Sequence, residues 1–122
     1  MNGLKYLADT NAFIYLLNRH PALQTLLDSE WQYSFITEIE LLGKPNITKA
    51  EAQNIRNLLA VCTKVLHHEA INQTTILLKQ QYHIKLPDAL IAATALEQNL
   101  PLITFDKGFT RIKTLDLILL DV

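Results

Sequence analysis

A chain of 122 residues, 49% hydrophobic and with Cys62 as its only cysteine, fits one domain that packs a core without disulfides. No run of about 18 apolar residues is present to cross a bilayer, and Asp9 interrupts the apolar start too early for a signal peptide; a cytoplasmic protein without membrane contact is expected. The formal charge of −1 excludes a protein that holds nucleic acid by net charge alone.

Lys5-Tyr6-Leu7-Ala8 reads as a short buried strand ending at Asp9. Thr10-Asn11 turns the chain into a helix over 12–17. Residues 33–36 read as a second strand, and Thr37 opens a helix that Gly43-Lys44-Pro45 stops after Leu42. Thr48 caps an amphipathic helix with Ala52, Ile55, Leu58 and Leu59 on one face. A third strand over 63–67 leads into a helix over 68–82, with Ile71, Thr74, Leu77 and Leu78 at helical spacing. Pro87 suits the first turn of a helix reaching Asn99. Residues 100–104 form a fourth strand and 115–120 a fifth, on an edge.

Strands alternating with helices over the whole chain imply parallel pairing. The expected fold is a three-layer α/β/α sandwich around a central, mainly parallel five-stranded sheet, with residues 1–122 as a single domain. In such sheets ligands sit beyond the carboxyl ends of the strands. Asp9 closes strand one, Glu40 follows strand two, Asp106 lies two residues past strand four, and Asp88 sits in the first turn of the helix before it. Four acids distant in sequence thus converge at one end of the sheet.

Each acid also has a plain structural explanation. Asp9 is a favoured helix cap. Asp88 complements a helix dipole. Thr37-Glu38-Ile39-Glu40 matches a capping box with Glu40 at its third position, and Asp106 before Lys107-Gly108 suits a turn. Those roles do not require all four to meet in one crevice. Crowded carboxylates repel and resist ionisation, so such a cluster calls for a cation, and all-oxygen donors select Mg²⁺ or Mn²⁺ over zinc. Glu38 rivals Glu40; two residues apart on a helix, they are separated by roughly 200°, so only one faces the crevice. Ile39 and Leu42 are expected to face the core. Setting four of the 12 acids aside leaves eight against 11 basic residues, a balance of +3 that permits a nucleic-acid substrate.

At these residues the sequence resembles the PIN-domain family, and within it the small VapC-type ribonuclease toxins. The resemblance spans nearly the whole chain. It rests on Leu7-Ala8-Asp9-Thr10-Asn11, on Ile36-Thr37-Glu38-Ile39-Glu40-Leu41-Leu42-Gly43, on Leu86-Pro87-Asp88-Ala89-Leu90-Ile91-Ala92-Ala93-Thr94-Ala95, and on Leu100-Pro101-Leu102-Ile103-Thr104-Phe105-Asp106. It implies that the acidic quartet is Asp9, Glu40, Asp88 and Asp106, selecting Glu40 over Glu38, with Asn11 and Thr104 as supporting polar groups that orient ligands. Gly43 follows Glu40 one residue early for the family, and the fourth acid is Asp where many relatives carry Asn.

The resemblance implies hydrolysis of RNA phosphodiester bonds assisted by one or two Mg²⁺ or Mn²⁺ ions. Asp9 and Asp88 would be the principal ligands, Glu40 a ligand through water, and Asp106 the last of the set. It also implies a small antitoxin protein as partner, and a homodimer. Lys107, Arg111 and Lys113 cluster after Asp106, either to grip phosphates or as a solvated basic face. Cys62 reads as core, and the histidines form no ligand pattern. Trp31 and Tyr33 offer either a base-stacking platform or ordinary packing. Three other readings compete. A non-catalytic nucleic-acid-binding module would find a full acidic quartet repelling its phosphates. A receiver-like signalling domain would want an adjacent acidic pair after strand one, and an aspartyl phosphatase a second Asp where Asn11 stands.

Overall fold

The computed structural model describes residues 3–122; Met1 and Asn2, read above with the N-terminal segment, lie outside the described residues. Five strands, β1 (Lys5–Ala8), β2 (Glu30–Ser34), β3 (Thr63–Val65), β4 (Leu102–Thr104) and β5 (Leu117–Leu119), form one sheet in the order β3-β2-β1-β4-β5. Every pairing is parallel, with Leu7 opposite Gln32 on one side and Leu102 on the other. Five helices connect them: α1 (Thr10–Leu17), α2 (Phe35–Leu42), α3 (Lys49–Ala60), α4 (Glu69–Gln81) and α5 (Leu86–Gln98). The expected sandwich is present, with β3 and β5 on the edges.

Side-chain alternation along the strands divides the core. Leu7 and Leu102 point to the face covered by α4 and α5, packing with Ile71, Leu78, Ile91 and Ala92. Their neighbours Ala8 and Ile103 point to the opposite face, where Phe13, Leu41, Ile55 and Leu59 come from α1, α2 and α3. Trp31 and Tyr33 belong to this second layer. Both are buried and meet Phe13 edge-on, at ring centroids of 5.5 and 5.9 Å, so neither is a platform for bases.

Several boundaries differ from the sequence expectation. β2 begins at Glu30 and ends at Ser34, so Phe35 and Ile36 are helical. The cause is Ser34, whose hydroxyl accepts from the Ile36 amide and caps α2. The capping box expected at Thr37 and Glu40 therefore does not form; the one that does links Thr48 and Glu51 at the start of α3. With α2 begun two residues earlier, Ile39 is turned outward, 58% exposed, while Leu41 is buried. On α4 the buried positions are Ile71, Thr75 and Leu78, leaving Leu77 exposed. A 3-10 helix over Pro21–Leu26, capped by His20, has no counterpart in the sequence reading. Among the described residues no helix is long and apolar enough to cross a membrane.

Candidate active site

The sheet reverses its winding direction between β1 and β4: β2 and β3 lie to one side of β1, β4 and β5 to the other. The crevice at such a switch point lies beyond the carboxyl ends of those two strands. Asp9 follows β1 directly and caps α1, its Oδ1 accepting from the Ala12 amide at 2.8 Å. Its Oδ2 accepts from the Thr104 hydroxyl at the end of β4. Asp106 lies two residues beyond, where its amide donates to Thr104 Oγ1 at 3.0 Å. Thr104, fully buried, thus ties the first acid to the last.

Asp106 caps a 3-10 turn over Lys107–Arg111, with Oδ1 accepting from the Gly108 amide at 2.8 Å. A Cβ at Gly108 would stand 3.1 Å from that oxygen, so the absence of a side chain lets the carboxylate sit close. Asp88 is half-buried in the first turn of α5, just after Pro87. Glu40 lies in the second turn of α2, and Thr10 Oγ1 donates to its Oε1 at 2.6 Å. Thr37, buried beneath it, is 3.1 Å from the same hydroxyl. Glu38 is turned away and meets Lys64 at 3.3 Å.

Electrostatics link the four acids. Asp9 is only 4% exposed, and burial pushes its carboxyl from 3.8 to about 6; the hydrogen bonds from Thr104 and Ala12 oppose the rise, while Asp88 and Asp106 add to it. Asp88 is raised as well, first by burial and then by Asp106 and Glu40, against the lowering influence of Lys85 and Arg111. Each carboxylate is therefore within electrostatic reach of at least one other.

The donor set is all carboxylate oxygen, which suits a hard divalent cation. Among the described residues, however, no three His, Cys, Asp or Glu side chains stand close enough to enclose an ion. Glu40 is engaged by Thr10 and Asp106 by Gly108. Asn11 is exposed on the first turn of α1.

Beside Asp88 and Asp106 opens a cleft of about 290 Å³, lined also by His83, Ile84, Lys85, Gly108, Phe109 and Arg111. Of the three basic residues singled out in the sequence, only Arg111 lines it. Lys107 and Lys113 are exposed and lie outside its wall. Lys85 and His83 do line it and were missed. The signal available was position alone, since Lys85 immediately precedes Leu86-Pro87-Asp88. Cys62 is partly buried, and burial pushes its thiol up to about 11, which disfavours the reactive thiolate.

The sequence model of one family, PIN domain, matches residues 6–115. The fold is similar to that of a chain in a toxin–antitoxin complex from Klebsiella pneumoniae, with 28% identity and a TM-score of 0.80 over 96% of this chain and 99% of that one. A chain of VapBC2 from Rickettsia felis, bound to a DNA fragment from its promoter, gives 25% identity and 0.79 over 97% and 100%. A chain of VapBC-1 from nontypeable Haemophilus influenzae gives 30% identity and 0.79 over 95% and 98%. No curated protein gives a significant match.

Proposed function

The chain belongs to the PIN domain family and to its VapC-type members, and from that premise we propose that it is a metal-dependent endoribonuclease, the toxin of a toxin–antitoxin pair. The observation that carries this reading is geometric: at the switch point of the sheet the buried Thr104 hydroxyl ties Asp9 at the end of β1 to the turn that carries Asp106, with Asp88 and Glu40 within electrostatic reach. Carboxylates that raise one another's pKa are poor structural elements and good cation ligands.

Mg²⁺ or Mn²⁺, when bound, would activate water and neutralise charge on the phosphate. Asp9 and Asp88 would be its principal ligands, Asp106 would complete the set, and Glu40 would ligate through water or position the attacking one. Thr104 holds Asp9 in place and, through the Asp106 amide, fixes the start of the turn that carries Asp106. Thr10 and Thr37 do the same for Glu40. Asn11, two residues after Asp9 in the first turn of α1, would be a further polar support. The nuclease works as a single domain in the cytoplasm and pairs with itself as a homodimer. The description of the Klebsiella pneumoniae relative as part of a toxin–antitoxin complex supports an antitoxin partner.

The test is cleavage of a labelled structured RNA by wild type and Asp9→Asn with Mg²⁺, Mn²⁺ or EDTA. Cation-dependent cleavage absent from the variant supports the reading. No cleavage by either protein, together with no cation binding by calorimetry, turns it into a non-catalytic binding module.

A further inference from the structure

Two short elements flank the cleft beside the acids, and each supplies one acid and one base. The entry to α5 brings Lys85 and Asp88, and the turn after β4 brings Asp106 and Arg111. Bases so placed would ordinarily pair with those acids. Among the described residues, though, neither Lys85 nor Arg111 forms an ion pair; the pairs present are Lys44 with Glu51 and Lys64 with Glu38. Arg111 is tethered at its inner nitrogen only, Nε donating to the Gly108 carbonyl at 3.2 Å, which leaves the outer edge of the guanidinium unengaged. The turn that carries it is held by the Asp106 cap and by Thr110 Oγ1 donating to the Lys107 carbonyl at 2.6 Å. Buried Ile84 and Phe109 line the cleft beside these groups. At about 290 Å³ the space lies at the lower end of small-ligand pockets, the size of one nucleotide unit rather than of a folded partner.

We propose that Lys85 and Arg111 form a phosphate subsite for single-stranded RNA, receiving the phosphodiester that neighbours the one being cut. Arg presents a planar fork to two phosphate oxygens, and Lys a point charge to a third. His83 adds a ring-nitrogen hydrogen-bonding group to the same wall. The subsite accounts for two cations that stand near Asp88 without making a direct ion pair to it: their partner is the substrate, which arrives with its own negative charge. It also separates them from Lys107 and Lys113, which carry similar charge in the same sequence segment but face solvent.

This inference rests on the nuclease reading for its substrate, and its test is binding rather than turnover. A fluorescein-labelled single-stranded oligoribonucleotide is titrated by anisotropy in EDTA over a range of salt, in the Asp9→Asn background. Lys85→Gln/Arg111→Gln is expected to weaken binding roughly tenfold or more and to reduce the salt slope by about 1.4, two contacts at about 0.7 each. Lys107→Gln/Lys113→Gln is expected to change neither. All four side chains are exposed, so circular dichroism should show an intact fold. Unchanged affinity and slope in the first variant, a larger loss in the second, or no binding by the parent overturns the subsite. Cleavage by wild type with Mg²⁺ alongside an unaffected first variant leaves the nuclease and removes the subsite. The expected losses with no cleavage under any cation do the reverse.

Discussion

Thr104 and Asp9 lie 95 residues apart in sequence and share a hydrogen bond, the hydroxyl at the end of β4 donating to the carboxylate at the end of β1. The same hydroxyl oxygen accepts from the Asp106 amide at 3.0 Å. One buried side chain therefore stabilises the ionised form of Asp9 and fixes where the chain turns toward Asp106. Thr104→Val keeps the shape and removes both bonds. The expected result is a further rise of the Asp9 pKa above about 6, a shift of the pH–rate profile to higher pH, and a cleavage loss of roughly 10–100-fold. Thr104→Ser should restore most of both. A Val variant with an unshifted profile would remove this role.

Asp9 also sets a pH dependence of stability. Its carboxyl is raised in the folded state from 3.8 to about 6, so between those values the folded chain binds a proton that the unfolded chain releases. Stability then falls as pH rises through that window, by up to about 3 kcal/mol at neutral pH. Asp9→Asn is expected to abolish this loss and to be more stable than wild type at pH 7. Urea unfolding of both proteins across pH 4 to 8 measures it. Parallel curves would mean that Asp9 is not strained by its surroundings.

A divalent cation should offset the same repulsion. Adding Mg²⁺ or Mn²⁺ is expected to raise the melting temperature of wild type at pH 7, as any ligand of the folded state does. EDTA should reverse the rise, and Asp9→Asn should show little of it. Equal stabilisation of both proteins would place the cation elsewhere.

Glu40 and Glu38 can be told apart directly. Glu40→Gln is expected to lose most cleavage with little change in stability. Glu38→Gln only breaks an exposed pair with Lys64, worth about 0.5 kcal/mol or less, and should cleave like wild type. The opposite pattern would exchange their roles.

Ser34 supplies a test of the fold itself. Ser34→Ala removes the cap of α2 and is expected to cost about 1 kcal/mol, measured by urea unfolding. It should also lower cleavage modestly, since α2 carries Glu40. No change in stability would mean that α2 does not depend on this cap.

The arrangement of strands and the acids at their ends could be read from the sequence because both follow from short apolar runs that stop at a carboxylate, as at Ala8-Asp9 and Thr104-Phe105-Asp106. The start of α2 could not. Ser34 and Thr37 are both cap-forming residues three apart, and the bulky Phe35 and Ile36 between them favour a strand by local propensity. Burial of Trp31 and Tyr33 against Phe13 sets which face of β2 is inward, and the Ser34 hydroxyl then caps α2 ahead of Thr37. Lys85 was hidden for a different reason. A basic residue ahead of a helix carries no periodic signal, and only the turn after β4, folding back beside it, makes the two one wall. Local pattern gives elements and their ends; which loops become neighbours is a property of the closed sheet.

The central place of β1, with β2 on one side and β4 on the other, has a consequence for how the chain is made. When β1, α1 and α2 have left the ribosome, Asp9 and Glu40 exist but Thr104 and Asp106 have not been translated. A partial chain that lacks β4 lacks the Thr104 link between Asp9 and Asp106, because that strand is among the last to emerge. On the nuclease reading proposed above, the chain therefore acquires its complete acidic set only when its synthesis is almost finished.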